Sequence, residues 1–262
     1  MNPIEDKIYK AIITKIKYYP IEKYQSNIDI IKKIRRARII RLRQCCSYIK
    51  NLNTVIPEEN NFQENLFSES EIVKLITNYD KNEKPAKLIK LKSMALELVN
   101  LDKKVLIWST HLKTIDLIMN ELTDLNIFAK KITGSTDVDE RSRIKNEFNN
   151  VDSNLKVIVA NPQACSESIS LHKCCHNAIY YDINYNTAEF LQSLDRIHRV
   201  GGSENEPVYY DFLHYEKSVD EEIFKRVFEK ADRQMQVIES DNLNFSLPDD
   251  DDFDSLYEDL TK

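Results

Sequence analysis

Gln192, Arg196 and Arg199 stand four and three residues apart in the stretch Asn186-Thr-Ala-Glu-Phe-Leu-Gln-Ser-Leu-Asp-Arg-Ile-His-Arg-Val-Gly-Gly202. Read as a helix, that spacing sets one amide and two guanidiniums on a common outward face, with Phe190, Leu194 and Ile197 on the opposite one. Planar, permanently charged guanidinium forks suit oxyanions whose charge is spread over several oxygens, phosphates above all. For an isolated Arg-x-x-Arg the alternative is a solvated polar face. The bounds of the element are legible: Asn186 can cap it, Glu189 three positions on completes a capping box, and Gly201-Gly202 ends it.

What precedes this helix favours the chemical reading. Val105-Leu106-Ile107-Trp108 is a continuous apolar run of the kind expected for a strand buried on both faces. The pattern then alternates: helix 112–124, strand 128–133, helix 138–149, strands 155–160 and 177–182, the opening helix, strand 207–213 and helix 218–240. Such alternation predicts a parallel sheet covered by helices on both sides. Ligands of these sheets gather at the carboxyl ends of the strands. The short polar segments fall there: Ser109-Thr110-His111, Thr133-Gly134-Ser135-Thr136, the segment from Asn161 to Ser168, and Asp182-Ile-Asn184. Trp108, at a strand end, reads as core.

Helices are expected ahead of the sheet at 4–18, 27–50, 68–79 and 86–101, with a loop over 51–67. The second of these carries Lys32, Lys33, Arg35, Arg36, Arg38, Arg41, Arg43 and Lys50 against Asp29. It is either a solvated face or a surface for a phosphate backbone. The net charge of −6 misleads as an average, because Asp249, Asp250, Asp251, Asp252, Asp254, Glu258 and Asp259 against Lys262 account for −7 + 1 = −6. That tail is read as disordered. The resulting division is a helical lead-in at 1–101, an α/β lobe at 102–240 and an acidic tail at 241–262.

Three glycines, Gly134, Gly201 and Gly202, do not supply a GxGxxG fingerprint or a phosphate loop. Asp139-Glu140 and Asp220-Glu221 follow no apolar strand and read as helix N-terminal acids, not magnesium ligands. Five cysteines at Cys45-Cys46, Cys165 and Cys174-Cys175 do not form a disulfide framework. His172-Lys-Cys-Cys-His176 lacks a CxxC pair, so no metal is expected there and the cysteines read as buried packing. No run of about 18 apolar residues is present, and the N-terminus lacks a signal-peptide layout. A cytoplasmic protein, nuclear if eukaryotic and without membrane partners, is the expectation.

Gln192-Ser-Leu-Asp195-Arg196-Ile-His198-Arg199-Val-Gly201 resembles motif VI of the Swi/Snf-family ATPases of helicase superfamily 2, Q-x-x-D-R-x-H-R-x-G, at every fixed position. Gly202 stands where the family often has glutamine. Val105–Ser109 resembles motif IV, Ile132–Thr136 with Glu140-Arg141 motif IVa, Ile169-Ser170-Leu171 the end of motif V, and Arg41–Ser47 the helix opening the second lobe. Motif V departs most, with Cys165, Ser166, Glu167 and Ser168 where the family usually places glycines. A similar Glu-Ser-Ile-Ser-Leu-His reading in some bacterial relatives suggests a bacterial source. The resemblance spans roughly residues 30–240.

It implies a RecA-like C-terminal lobe with an N-terminal helical extension, part of an ATP-dependent DNA translocase or helicase. Arg199 matches the arginine finger, Arg196 its companion and Gln192 the motif glutamine, all reaching ATP. ATP and Mg2+ would be held mainly by a first lobe, from the same parent chain or a separate subunit, so the chain alone is expected to be inactive. Ser109, Thr110, Gly134, Ser135, Thr136, Arg141 and Ser168 would border the duplex DNA path, and His198 would orient its neighbours by hydrogen bonding. For the loop residues taken singly, caps and turns are equally good readings. A non-catalytic nucleic-acid- or protein-binding module derived from such a lobe is the alternative. A Rossmann-type small-molecule enzyme is the third reading, weakened by the scarcity of glycine.

Overall fold

Lys104–Trp108 forms the central strand of a sheet because each of its five residues is buried, and on such a strand both faces must be covered. The computed structural model describes residues 1–17, 28–54, 70–165, 170–198, 206–239 and 251–261. In chain order the elements are α1 (Pro3–Lys17), α2 (Ile28–Ser47), α3 (Ser70–Asn82), α4 (Ala86–Asn100), β1 (Lys104–Trp108), α5 (Leu112–Asp124), β2 (Ala129–Ile132), α6 (Val138–Asn149), β3 (Val157–Ala160), β4 (Cys175–Tyr180), α7 (Thr187–Leu194), β5 (Tyr209–Phe212), α8 (Val219–Glu239) and α9 (Asp251–Thr261). Packing divides the chain into two units. One is Lys87–His214 with Ile223–Gln234; the other is Met1–Ala86 with Tyr215–Glu222 and Met235–Lys262.

The first unit holds the sheet, ordered β2-β3-β1-β4-β5 and parallel at every pairing. On one face Val105, Ile107, Val157, Val159, Ile179 and Tyr181 pack with Leu88, Leu91 and Ala95 of α4 and Ile115, Ile118 and Leu122 of α5. The alternate residues Leu106, Ile158, Ala178 and Tyr180 are buried as well, which period-two alternation assigns to the other face. Where the sequence reading divided the chain at 101, packing divides it at 86, because the apolar stripe of α4 completes the sheet's own core. β1 and β4 are neighbours, yet the chain leaves β1 toward β2 and β4 toward β5, in opposite directions. A topological switch point therefore opens between their carboxyl ends.

The second unit is helical. Glu5, almost fully buried, accepts hydrogen bonds from Tyr215 Oη (2.9 Å) and Asn2 N (2.8 Å), and Tyr9 Oη accepts from Val219 N (2.8 Å). Two of the arginines that make α2 basic by count are structural: Arg38 and Arg41 are buried, and Arg41 Nη1 donates to Gln44 Oε1, Leu52 O and Thr54 O at 2.8 to 2.9 Å.

The acidic tail, read from its charge as disordered, contains a helix. Phe253, Leu256, Tyr257 and Leu260 recur at three, four and seven residues among the acids, an apolar stripe that a charge count conceals. Leu256 is 0% exposed, Tyr257 Oη donates to Ile16 O at 3.2 Å, and Arg35 pairs with Asp254 at 3.0 Å. Fully buried leucines cost about 2–5 kcal/mol to truncate. Leu256→Ala is thus expected to speed amide exchange across 251–261 roughly ten-fold or more, with strand amides unchanged, as read by hydrogen–deuterium exchange.

Candidate functional site

The loops after β1 and β4 meet at the switch point, and a carboxylate holds them. Asp182 accepts from Ser109 Oγ (2.9 Å), Thr110 N (2.6 Å) and Thr110 Oγ1 (2.6 Å). Burial works to raise its pKa, but the positive charges of His111 and Lys87, together with the Thr110 hydrogen bonds, outweigh burial and hold it below the usual carboxylate range. Lys87, itself buried, donates to Tyr181 O at 3.0 Å and lies 5.0 Å from the Tyr181 ring centroid. Ser109 is 0% exposed. Its hydroxyl is committed to Asp182, so the outward role expected for this side chain is not available to it.

Two further braces join the neighbouring loops. Asn161 Nδ2 donates to Thr110 O (3.1 Å) and Asn161 N to Ile132 O (3.0 Å), linking the ends of β3, β1 and β2. Arg141, from the first turn of α6, donates through Nε to Thr136 O (2.9 Å), Nη1 to Ala164 O (2.8 Å) and Nη2 to Thr133 O (3.3 Å). Its guanidinium therefore shapes the loops after β2 and β3. Asp137 caps α6 by accepting from Glu140 N at 2.7 Å, which aims Arg141 at those carbonyls. The loop it braces exposes Gly134 and Ser135, with Thr136 half-buried. Gly134 has no left-handed backbone conformation, and a Cβ added there meets nothing within 4 Å.

α7 begins as its sequence predicts. Asn186 Oδ1 accepts from Ala188 N (3.0 Å) and Glu189 N (3.2 Å), while Glu189 takes Nδ2 hydrogen bonds from Asn186 (3.2 Å) and Asn184 (2.7 Å). Its buried side is fastened by Phe190, which packs in an aromatic cluster with Tyr180, Phe212 and Phe228, and by Tyr180 Oη sharing a 2.6 Å hydrogen bond with Ser193 Oγ. The end differs from expectation. α7 stops at Leu194, where Tyr210 Oη donates to Leu194 O (2.9 Å), an oxygen that also accepts from His198 N (3.3 Å), and beyond it Leu171 N donates to Arg196 O (2.8 Å).

Beyond this stop, Arg196 is parted from Gln192, with which helical spacing would align it. Gln192 is exposed on α7, whereas Arg196, in the turn beyond, is only 6% exposed. It does not share an outward face with Gln192. Burial pushes the Cys165 thiol up to about 12, against the opposing pull of the Arg196 and Arg141 charges beside it. His198 is exposed at the end of the turn. Arg199 and Ser168 lie outside the described residues, as do Ser166, Glu167, Gly201 and Gly202. Lys87 was missed as a site support, whereas Asn161 and Asp182, polar residues following apolar strands, carried a local signal. None of the five cysteines forms a disulfide, and four of them are buried.

Because the folded pKa of Asp182 is depressed, the stability it contributes is present above the usual carboxylate pKa of about 4 and is lost as pH falls through the lower folded value. Asp182→Asn removes the charge and turns the oxygen that faces Ser109 into a donor, the other still accepting from Thr110. It is expected to cost roughly 1–3 kcal/mol at neutral pH and to shrink the acid-side loss of stability in denaturant titrations from pH 7 to pH 3.

Residues 83–201 match the family described as helicase conserved C-terminal domain. The chain is 28% identical over 148 residues to the ATP-dependent DNA helicase DDM1 of Arabidopsis thaliana, covering 56% of this chain and 19% of that protein. It is 31% identical over 137 residues to the transcription regulatory protein SNF2 of Saccharomyces cerevisiae, covering 52% of this chain and 8% of that one. The chain thus spans under a fifth of the length of these relatives, and both are eukaryotic, which does not support the bacterial source suggested by motif V. The crystal structure of the C-terminal part of the Fun30 ATPase domain superposes with a TM-score of 0.67 at 19% identity, covering 100% of this chain and 94% of that one. The parallel sheet with flanking helices therefore has the fold of a RecA-like lobe, and over its matched stretches the chain is similar to the helicase conserved C-terminal domain and to Swi/Snf-type ATP-dependent helicases.

Proposed function

We propose that this chain supplies the second lobe of an ATP-dependent DNA translocase, completing from its carboxyl edge an ATP site whose phosphate cradle belongs to a first lobe. The observation that carries the reading is the placement of Gln192 through His198 on a capped helix and turn that follow β4, beside the switch point of a parallel sheet. Arg199, one residue further on, is the finger in this reading. Its planar fork would neutralise charge on the transferring phosphoryl group, an effect worth about 10³–10⁵ in rate in related nucleotidases.

The roles of the other residues follow from their surroundings. Gln192 is exposed and able to reach the nucleotide, whereas Arg196, buried beside Cys165, holds the turn that aims Arg199. Asp182 is saturated by Ser109 and Thr110, so these residues do not fit a magnesium ion. In this reading the metal arrives with ATP from the first lobe. The DNA path runs over the Gly134-Ser135-Thr136 loop. Neither backbone strain nor crowding within the chain demands glycine at 134. Close approach of an outside backbone is a reason for it that remains. Ser109 and Arg141 serve that path indirectly, by fixing the loops.

Residues 1–262 alone are expected to show no DNA-stimulated ATP hydrolysis. In the enzyme completed with its first lobe, Arg199→Ala should lower turnover by about 10³-fold or more while nucleotide binding, read by titration of a fluorescent ATP analogue, changes little. Failure of the added lobe to restore hydrolysis dependent on Arg196 and Arg199 would favour a non-catalytic binding module. Gly134→Glu probes the DNA path because residue 134 is exposed and a Cβ there meets nothing within 4 Å. Unchanged thermal stability with several-fold weaker duplex binding is the expected result, and unchanged binding would remove this loop from the path.

A further inference from the structure

The helix α9 carries Asp251, Asp252, Asp254, Glu258 and Asp259 within eleven residues and no basic residue. It lies on α2, the most basic helix of the chain by sequence. Arg35 Nη1 is 3.0 Å from Asp254 Oδ1 and 3.9 Å from Glu258 Oε1, and its guanidinium carbon is 5.3 Å from the Tyr257 ring centroid. Lys32, Arg36 and Arg43 recur along α2 at four and seven residues and so share one face, with Arg35 at its margin. Lys32 and Arg36 are exposed and Arg43 is half-buried, unlike Arg38 and Arg41, which are buried.

The energetics of this contact are uneven. Leu256, 0% exposed, and the Tyr257 hydrogen bond to Ile16 O anchor α9 by burial and directional bonding. The ion pairs add little to stability, since partly exposed pairs are worth about 0–1 kcal/mol each. What the carboxylates do change is the local potential, by covering the edge of a cationic stripe. A duplex presents one negative charge per about 1.7 Å of its axis and gains entropy by releasing counterions. It is therefore a stronger polyanion than two carboxylates, and the contact is one it could displace.

We propose that the face of α2 bearing Lys32, Arg36 and Arg43 is a duplex DNA docking surface, and that α9 occupies its Arg35 margin as a built-in competitor. The proposal rests on the reading that DNA is the track, but places a second contact on the helical unit, apart from the strand-end loops. α9 then sets how much duplex the surface accepts, and bound DNA loosens α9.

The test uses the full chain with Asp254→Asn and Glu258→Gln together, isosteric amides that keep the Leu256 and Tyr257 contacts. Anisotropy titration of a short labelled duplex should show about three-fold or more tighter binding and a log–log salt slope steeper by about one. Asp124→Asn with Asp152→Asn makes the same charge change at exposed positions elsewhere and should leave affinity unaltered. Lys32→Ala with Arg36→Ala should weaken binding in both backgrounds. Equal affinity of the Asp254/Glu258 variant and the parent overturns the proposal, as does equal tightening by the control pair. In those outcomes Gly134→Glu can still weaken binding, so the DNA reading survives. Absence of duplex binding by every chain overturns both.

Discussion

A carboxylate withdrawn from water must be satisfied where it lies, and the carboxyl edge of this sheet is arranged around one. Desolvating such a group costs several kcal/mol unless hydrogen bonds and opposite charge offset it. Asp182 receives two hydroxyls and a backbone amide, with Lys87 and His111 supplying the charge. The consequence is mechanical. β1 and β4 are joined by main-chain hydrogen bonds along their length, but their following loops depart in opposite directions, and without Asp182 the gap between them would be open. Asn161 and Arg141 extend the same logic to the loops after β2 and β3.

In the proposed function α7 is the base of a phosphate-reaching arm, and such a base must not move. Geometry off by about 1 Å can cost two orders of magnitude in rate. α7 has its N-terminus capped by Asn186 and its buried side fixed by aromatic packing and by the Tyr180–Ser193 hydrogen bond. Tyr210 donates to its last carbonyl, Leu194 O, and Leu171 N to Arg196 O in the turn beyond. The turn carrying Arg196 is consequently determined from three directions. This explains why a side chain expected to face outward is instead buried: its backbone is drawn toward Leu171, and the guanidinium follows beside Cys165.

The sheet was legible because a strand buried on both faces leaves no polar alternation, so Val105–Trp108 stands out as an unbroken apolar run. The start of α7 was legible because an N-cap asparagine and the amides it accepts from are neighbours in sequence. Its end was not, since the groups that bond the turn beyond it come from Leu171 and Tyr210, distant in sequence. Ser109 and Arg141 show the same division. Their positions at strand ends follow from the pattern, whereas their partners Asp182, Thr133 and Ala164 are set by tertiary neighbours. Composition misled in the tail, where charge hid the spacing of Phe253, Leu256, Tyr257 and Leu260.

Net charge along a helix is thus a poor guide to what the helix offers a partner. α2 reads as one cationic surface, yet Arg41 spends its donors on Gln44 and on the carbonyls of Leu52 and Thr54, closing the turn that follows the helix. An arginine used in this way cannot be given up to a phosphate without freeing those oxygens, which would lose about 1 kcal/mol or more per hydrogen bond. Lys32 and Arg36 are exposed on one side of the same helix. Burial, residue by residue, therefore divides one basic run into a structural part and a part able to meet another molecule, and only the second could have been kept for its charge.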